Sequence, residues 1–328
     1  MGSLIGHVVP GSFFIIFAIW YSVYGFIQHF SPHFRKPGSG RIRSPAPPPR
    51  RSRKRASPNN NNDSEKSIDD LDFPVPVLIP RPSRFPPWDV TIRTLFTLVG
   101  IAGEYITALD ENGHFKTLHN AQHMTMFSAF LLVSLAELLI HYKVPGLPAK
   151  LDVFAAFTAF AIEGVLFLWH LEGRNRLDVQ VHTFLVYTIF AALVTLALEA
   201  VSPEADARAY LMRNTALLVQ GAWFYVVGFI LYPPRGWEAW DPESHAHRMI
   251  VTMAFTWTVA LVVLFQFVLG FVVFQVMRRQ RSSWLRVKRA EVTAGKSEVT
   301  MNLLGLTPDD EDEDASEDDG VSVDLEAA

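Results

Sequence analysis

The chain is 328 residues long, 49% hydrophobic and 12% aromatic, with a net charge of −4 and no cysteine. The missing thiol excludes disulfides, cysteine nucleophiles and sulfur-ligated metals, so any metal would need nitrogen and oxygen ligands. The apolar residues gather in blocks of about 20, the length that roughly 30 Å of hydrocarbon requires of a helix. That pattern favours a membrane protein over two soluble domains.

The first block, near 5–28, has no basic region ahead of it and no small-residue cleavage site, and it exceeds a leader core, so it reads as a retained span within residues 1–30. Gly6 stands where a myristoylation signal needs Ser or Thr. Residues 31–88 follow as a basic loop. Its RKPGSGRIRSPAPPPRRSRKRASPNNNNDSEKSIDD is Pro-, Ser-, Asn- and charge-rich, the composition of disorder. The RRSRKR run at 50–55 reads as a tether to anionic lipid headgroups, at about 1 kcal/mol per basic residue, with no nucleic-acid partner expected.

Further blocks near 89–107, 119–142, 150–171, 179–201, 208–231 and 247–276 predict six more helices within 89–276. The second span of the seven is the weakest, because it carries Arg93 and Glu104. Short later loops make neighbouring helices antiparallel. Residues 277–328 turn basic and then acidic, ending in PDDEDEDASEDDG at 308–320, and are expected to be a disordered, self-repelling tail. The predicted fold class is therefore an all-α membrane protein, a bundle of about seven helices with a disordered basic loop and a disordered acidic tail.

Orientation follows the basic residues. The 31–88 loop holds 12 Lys and Arg, and MRRQRSSWLRVKR follows the last span; seven crossings put both on one side, the cytosolic one. The opposite loops carry few, Lys116, Arg174, Arg176 and Arg235. The amino terminus then faces outside or a lumen, and the carboxyl terminus the cytosol, of a plasma or internal membrane.

Alternating helix directions assign each polar residue a depth. His7, Glu104, His119, His123, His170, Asp178, His182, His245 and His247 all fall toward the outer face. His119 and His123 share a helical face, as do Asp178 and His182. Glu163 lies on the face of His170 but roughly 10 Å deeper, at about the depth of Gln220 and Trp223. An ionisable group in hydrocarbon costs about 2.5–3.5 kcal/mol on insertion scales, so Glu163 is a functional candidate. His123, His170 and His182, with Asp178 or Glu163 as ligand, orienting group or general base, would suit Zn²⁺ with a position left for water. Two facing histidines would suit a b-type haem instead. The bland reading makes each histidine a capping or hydrogen-bonding group. Nearer the inner face, Arg93, Glu137, Glu199 and Arg213 are expected to form structural ion pairs.

The segments GHVVPGSFFIIF at 6–17, NAQHMTMFSAF at 120–130, IEGVLFLWH at 162–170, LDVQVHTFLVY at 177–187 and VQGAWFYVVGFILYPP at 219–234 resemble the transmembrane protein 45 family. The resemblance implies about seven helices and a place in plasma or internal membranes, with no settled chemistry. The basic 34–72 segment and the acidic tail depart from its shorter members, and His119, His245 and His247 have no place in the pattern.

Three readings follow. One is a non-enzymatic multi-pass protein whose polar groups orient helices. The second is a zinc hydrolase opening to the outer leaflet, comparable with alkaline ceramidases only in general chemistry. The third is proton or metal-ion transport through Glu163 and Gln220. A seven-helix receptor ranks last, since its usual signatures are missing.

Overall fold

A computed structural model describes residues 3–34, 87–202 and 207–303, with side chains up to residue 294. Most of the basic loop (from residue 35) and the acidic tail lie outside these residues. The described elements are α1 (Leu4–Phe34), α2 (Trp88–Ala108), α3 (Leu118–His141), α4 (Leu151–Trp169), α5 (Arg176–Val201), α6 (Ala207–Leu231) and α7 (His245–Leu303). No strand occurs among them; Leu109 and Phe115 make one isolated bridge in the α2–α3 connection. Six of these helices are long and apolar enough to cross a membrane, α2 being the exception. The chain is an all-α membrane protein. The described residues fall into two units, one ending at Arg279 and the other holding 280–303.

Two boundaries differ from the sequence expectation. The first helix runs on to Phe34, into the start of the expected loop. The basic stretch after residue 276, expected to begin a disordered tail, continues α7 to Leu303. Its Arg, Lys, Leu and Gln are good helix formers, and Lys288 bonds Glu291 one turn on, at 2.5 Å.

Sequence neighbours pack as antiparallel hairpins: α2 on α3, α3 on α4, α4 on α5 and α5 on α6, while α1 returns to pack along α6. The turns carry local stop signals. Gly146 and Gly173 adopt left-handed φ values of 83° and 76° after α3 and α4. The Asn175 side chain accepts from Asp178 N at 2.9 Å and starts α5.

The α1–α6 contact depends on two small residues. A Cβ on Gly11 would sit 2.9 Å from Gly221 O, and one on Gly221 would sit 2.9 Å from Gly11 O. Only glycines let the two backbones approach this closely. On α7, Gln266 Nε2 donates to Ser22 Oγ of α1 at 2.8 Å, and Phe255 stacks on Phe184 of α5 at 4.5 Å.

The surface is reversed relative to a water-soluble bundle. Phe154, Val99 and Phe267 are exposed, whereas Asn214, Gln220, Glu163 and Gln266 are buried. Lipid replaces water around the apolar exterior, and the polar side chains find partners, or none, inside. The α6 helix is the most buried of the six apolar helices, which makes it the axis of the bundle. Its Trp223, wholly buried, donates from Nε1 to the Val181 carbonyl of α5 at 2.9 Å.

Candidate functional site

The α2–α3 and α4–α5 connections and the start of α1 meet at one end of the bundle, the histidine end. There five imidazoles touch in sequence. His123 meets His119 at a centroid distance of 4.4 Å, His119 meets His170 at 4.5 Å, His170 meets His182 at 5.9 Å and His182 meets His7 at 5.8 Å. Helical spacing of four puts His119 and His123 on one face of α3, and the antiparallel α4 brings its C-cap residue His170 against them.

Charged groups connect these rings. Glu104 Oε1 lies 3.0 Å from His123 Nδ1, which ties α2 to α3. Arg174, in the α4–α5 turn, donates to both Asp178 oxygens, at 3.0 and 2.8 Å, and to His170 Nε2. His170 Nδ1 faces Gln122 Oε1 at 3.2 Å. Because Nε2 accepts from a permanent cation, Nδ1 carries the proton and donates to Gln122. His182 Nδ1 lies 2.7 Å from Asp178 Oδ1 and 2.9 Å from the Asp178 carbonyl. His7 Nδ1 donates to Ser3 O at 2.9 Å, and its ring packs on Tyr232 at 5.5 Å. Burial first, and then the Arg174 guanidinium, push the His170 imidazole down to about 3.

Among the described residues no group of three or more His, Asp or Glu is arranged to hold a metal ion. The reason is visible at His170, where a guanidinium occupies the lone pair that zinc would need. His123, His170 and His182 follow one another along a row, with 6.1 Å between the first two rings and 5.9 Å between the second two. His119 lies too close to His123 and to His170 for a haem iron to stand between those rings.

Glu163 and Gln220 stand apart from this row. Gln220 Nε2 donates to Glu163 Oε1 at 2.9 Å, while Glu163 Oε2 and Gln220 Oε1 are buried without partners. Phe167 and Phe224, each one turn nearer the histidine end, contact each other and cover the pair; Phe224 stacks on Phe14 at 6.0 Å. The polar pair is therefore separated from the imidazoles by an aromatic layer.

At the opposite end, Arg93 pairs with Glu137 across α2 and α3, and Arg213 with Glu199 across α6 and α5 at 2.9 Å. Arg93 also sits over the Tyr21 ring and Arg213 over Tyr210, at 5.9 and 4.7 Å. Lys150 donates to the Glu199, Ala200 and Ser202 carbonyls and so closes the end of α5.

Sequence reasoning underrated two residues. Arg174 was counted only as a loop charge, yet it joins His170 to Asp178. His119 has no place in the family resemblance, yet it lies between His123 and His170. The i, i+4 spacing of Arg174 and Asp178 was the available signal for the first. His245 and His247 do not join the row; His247 instead accepts from Asp241 N at 2.9 Å and packs on Trp240.

Comparison with known proteins finds one matching family and several relatives of low identity. A family model described as a family of unknown function (DUF716) matches residues 149–271, which include Glu163, His170, Asp178, His182, Gln220 and Trp223 but not His7, Glu104 or His123. Over 140 residues the chain is 24% identical to transmembrane epididymal protein 1A of Mus musculus, covering 43% of this chain and 46% of that protein. It is 26% identical over 140 residues to transmembrane epididymal protein 1 of Homo sapiens, covering 43% and 51%. The chain thus spans about half the length of the curated relatives it matches. The likeness is to a family of unknown function and to proteins named as transmembrane.

Proposed function

We propose that this chain is a multi-pass membrane protein of the transmembrane protein 45 type whose histidine end faces outside or a lumen and responds to protons. The unbroken row of five imidazoles, interleaved with Glu104, Arg174 and Asp178, supports this reading most directly. The basic 31–88 and 277–289 segments support the orientation. Glu163 and Asp178 as catalytic groups, and Glu163 with Gln220 as a transport path, remain the runner-up readings.

The chemistry is electrostatic. His170 faces Arg174, His119, His123 and His182, and further along the row stand Glu104, Asp178, His7 and Tyr232. In the arrangement described, His170 is neutral and accepts from Arg174. A proton on Nε2 would replace that hydrogen bond with two facing cations. The clasp between α3 and the α4–α5 turn then loosens.

The sign follows from the folded-state value. His170 lies below the ordinary 6.5, so its contribution to stability is complete above about 6.5 and is lost as pH falls toward about 3. Discounted for solvent screening, the loss near pH 5 is on the order of 1 kcal/mol, or roughly 2–4 °C in Tm. Thermal unfolding of the full chain in lipid nanodiscs should show that fall, and His170→Asn should flatten it. A Tm unchanged by acid would overturn the reading. Stoichiometric zinc that disappears in His123→Ala would favour the hydrolase, and ion flux abolished by Glu163→Gln would favour transport.

A further inference from the structure

Two cavities lie at the end of the bundle opposite the histidines. The deeper, about 300 Å³, is lined by α1 to α6 and ends among Phe14, Phe130 and Phe160. The outer, about 490 Å³, is bordered by Lys143, Lys150 and Gln28. Both are lined by Tyr24, Glu199 and Tyr210, so they adjoin at a polar waist. Apolar depth and a polar mouth at this size are what small-molecule sites share.

Two side chains lining the deeper cavity carry buried atoms without hydrogen-bond partners. Asn214 is wholly buried, and its amide nitrogen and oxygen make no hydrogen bond beyond a weak interaction with the Tyr210 hydroxyl one turn away. Arg93 Nε is likewise buried and unpaired, its guanidinium engaging Glu137 through another nitrogen. An orphaned buried amide costs about 1–3 kcal/mol, and native proteins satisfy nearly all such groups. The Asn214 amide offers a donor and an acceptor side by side, which matches a hydroxyl or an amide, itself both at once.

Charge narrows the class. The deeper cavity carries Asp89, Glu137, Asp152 and Glu199 against only Arg93 and Arg213. A carboxylate or phosphate headgroup would meet an excess of like charge there. We propose that this cavity binds a neutral single-chain amphiphile, its hydroxyl or amide head on Asn214 and its tail among Phe14, Phe130 and Phe160. This site is independent of the proton reading of the histidine end.

The probe is a diazirine-bearing monoacylglycerol presented to the full chain in lipid nanodiscs, with unlabelled monoacylglycerol as competitor. The expected result is saturable crosslinking to α1, α4 and α6 peptides, reduced about tenfold by Asn214→Leu. Ala156→Phe, which fills the apolar end, should reduce it similarly. Circular dichroism and elution profile check that both variants fold. Crosslinks confined to lipid-facing residues such as Phe154 and Phe267, or unaffected by folded variants, overturn the proposal. If neither variant folds, the wild type decides by competition. Displacement by monoacylglycerol but not by an equal amount of ionised fatty acid supports the neutral class, and the reverse order overturns it.

Discussion

The two ends of the bundle solve the problem of polar groups in a membrane in different ways. At the ion-pair end, Arg93–Glu137 and Arg213–Glu199 join charges of opposite sign across neighbouring helices, and Lys150 caps α5. At the histidine end the links run through imidazoles, with His170 held by hydrogen bonds that suit the neutral ring and His123 and His182 set beside the Glu104 and Asp178 carboxylates. Guanidinium and carboxylate keep their charges across the physiological range, whereas the His170 imidazole, neutral there, gains a proton as pH falls toward about 3. One end is thus built to be constant. The other is proposed to vary.

The largest expected effect lies at the constant end. Arg213→Leu strands the half-buried Glu199 carboxylate and should cost about 2–4 kcal/mol in unfolding measurements, with Arg93→Leu acting alike on Glu137. Exchanging Glu199 and Arg213 should restore most of the loss; failure to do so would show that pairing is not what matters there. Next comes the crossing that both ends share. Gly221→Val forces side-chain atoms into the Gly11 backbone and should cost about 1–3 kcal/mol, equally at about pH 7.5 and pH 5. A pH-dependent cost would mean that the α1–α6 contact itself responds to acid.

The varying end yields smaller numbers that depend on pH. Its acid-induced fall of roughly 2–4 °C should shrink further in Arg174→Gln, because removing the facing cation lets His170 accept a proton at less cost. An undiminished fall would move the origin of the effect away from this pair.

Much of the fold was legible because lipid imposes a simple rule. Runs of about 20 apolar residues gave the helices, and alternation gave each polar residue its end. Glu163 and Gln220 were placed at one depth, and they do hydrogen-bond. The end of α7 was misread because a basic, amphiphilic stretch resembles a solvated tail in composition while still favouring helix. The role of Arg174 was hidden by its position in a turn, where a cation usually points to water. Asn214 and the cavity beside it had no sequence signature, since a void records where side chains fail to meet.

The absence of cysteine permits a direct measurement. Spin labels on Asn112→Cys and Glu172→Cys, both exposed positions, report the separation of the α2–α3 and α4–α5 connections in nanodiscs. The account predicts a narrow, short distance at about pH 7.5 that lengthens and broadens as pH falls to about 3, and a loss of that change in His170→Asn. A separation near the roughly 30 Å of a hydrocarbon core at both pH values, or a short one indifferent to acid, would contradict it.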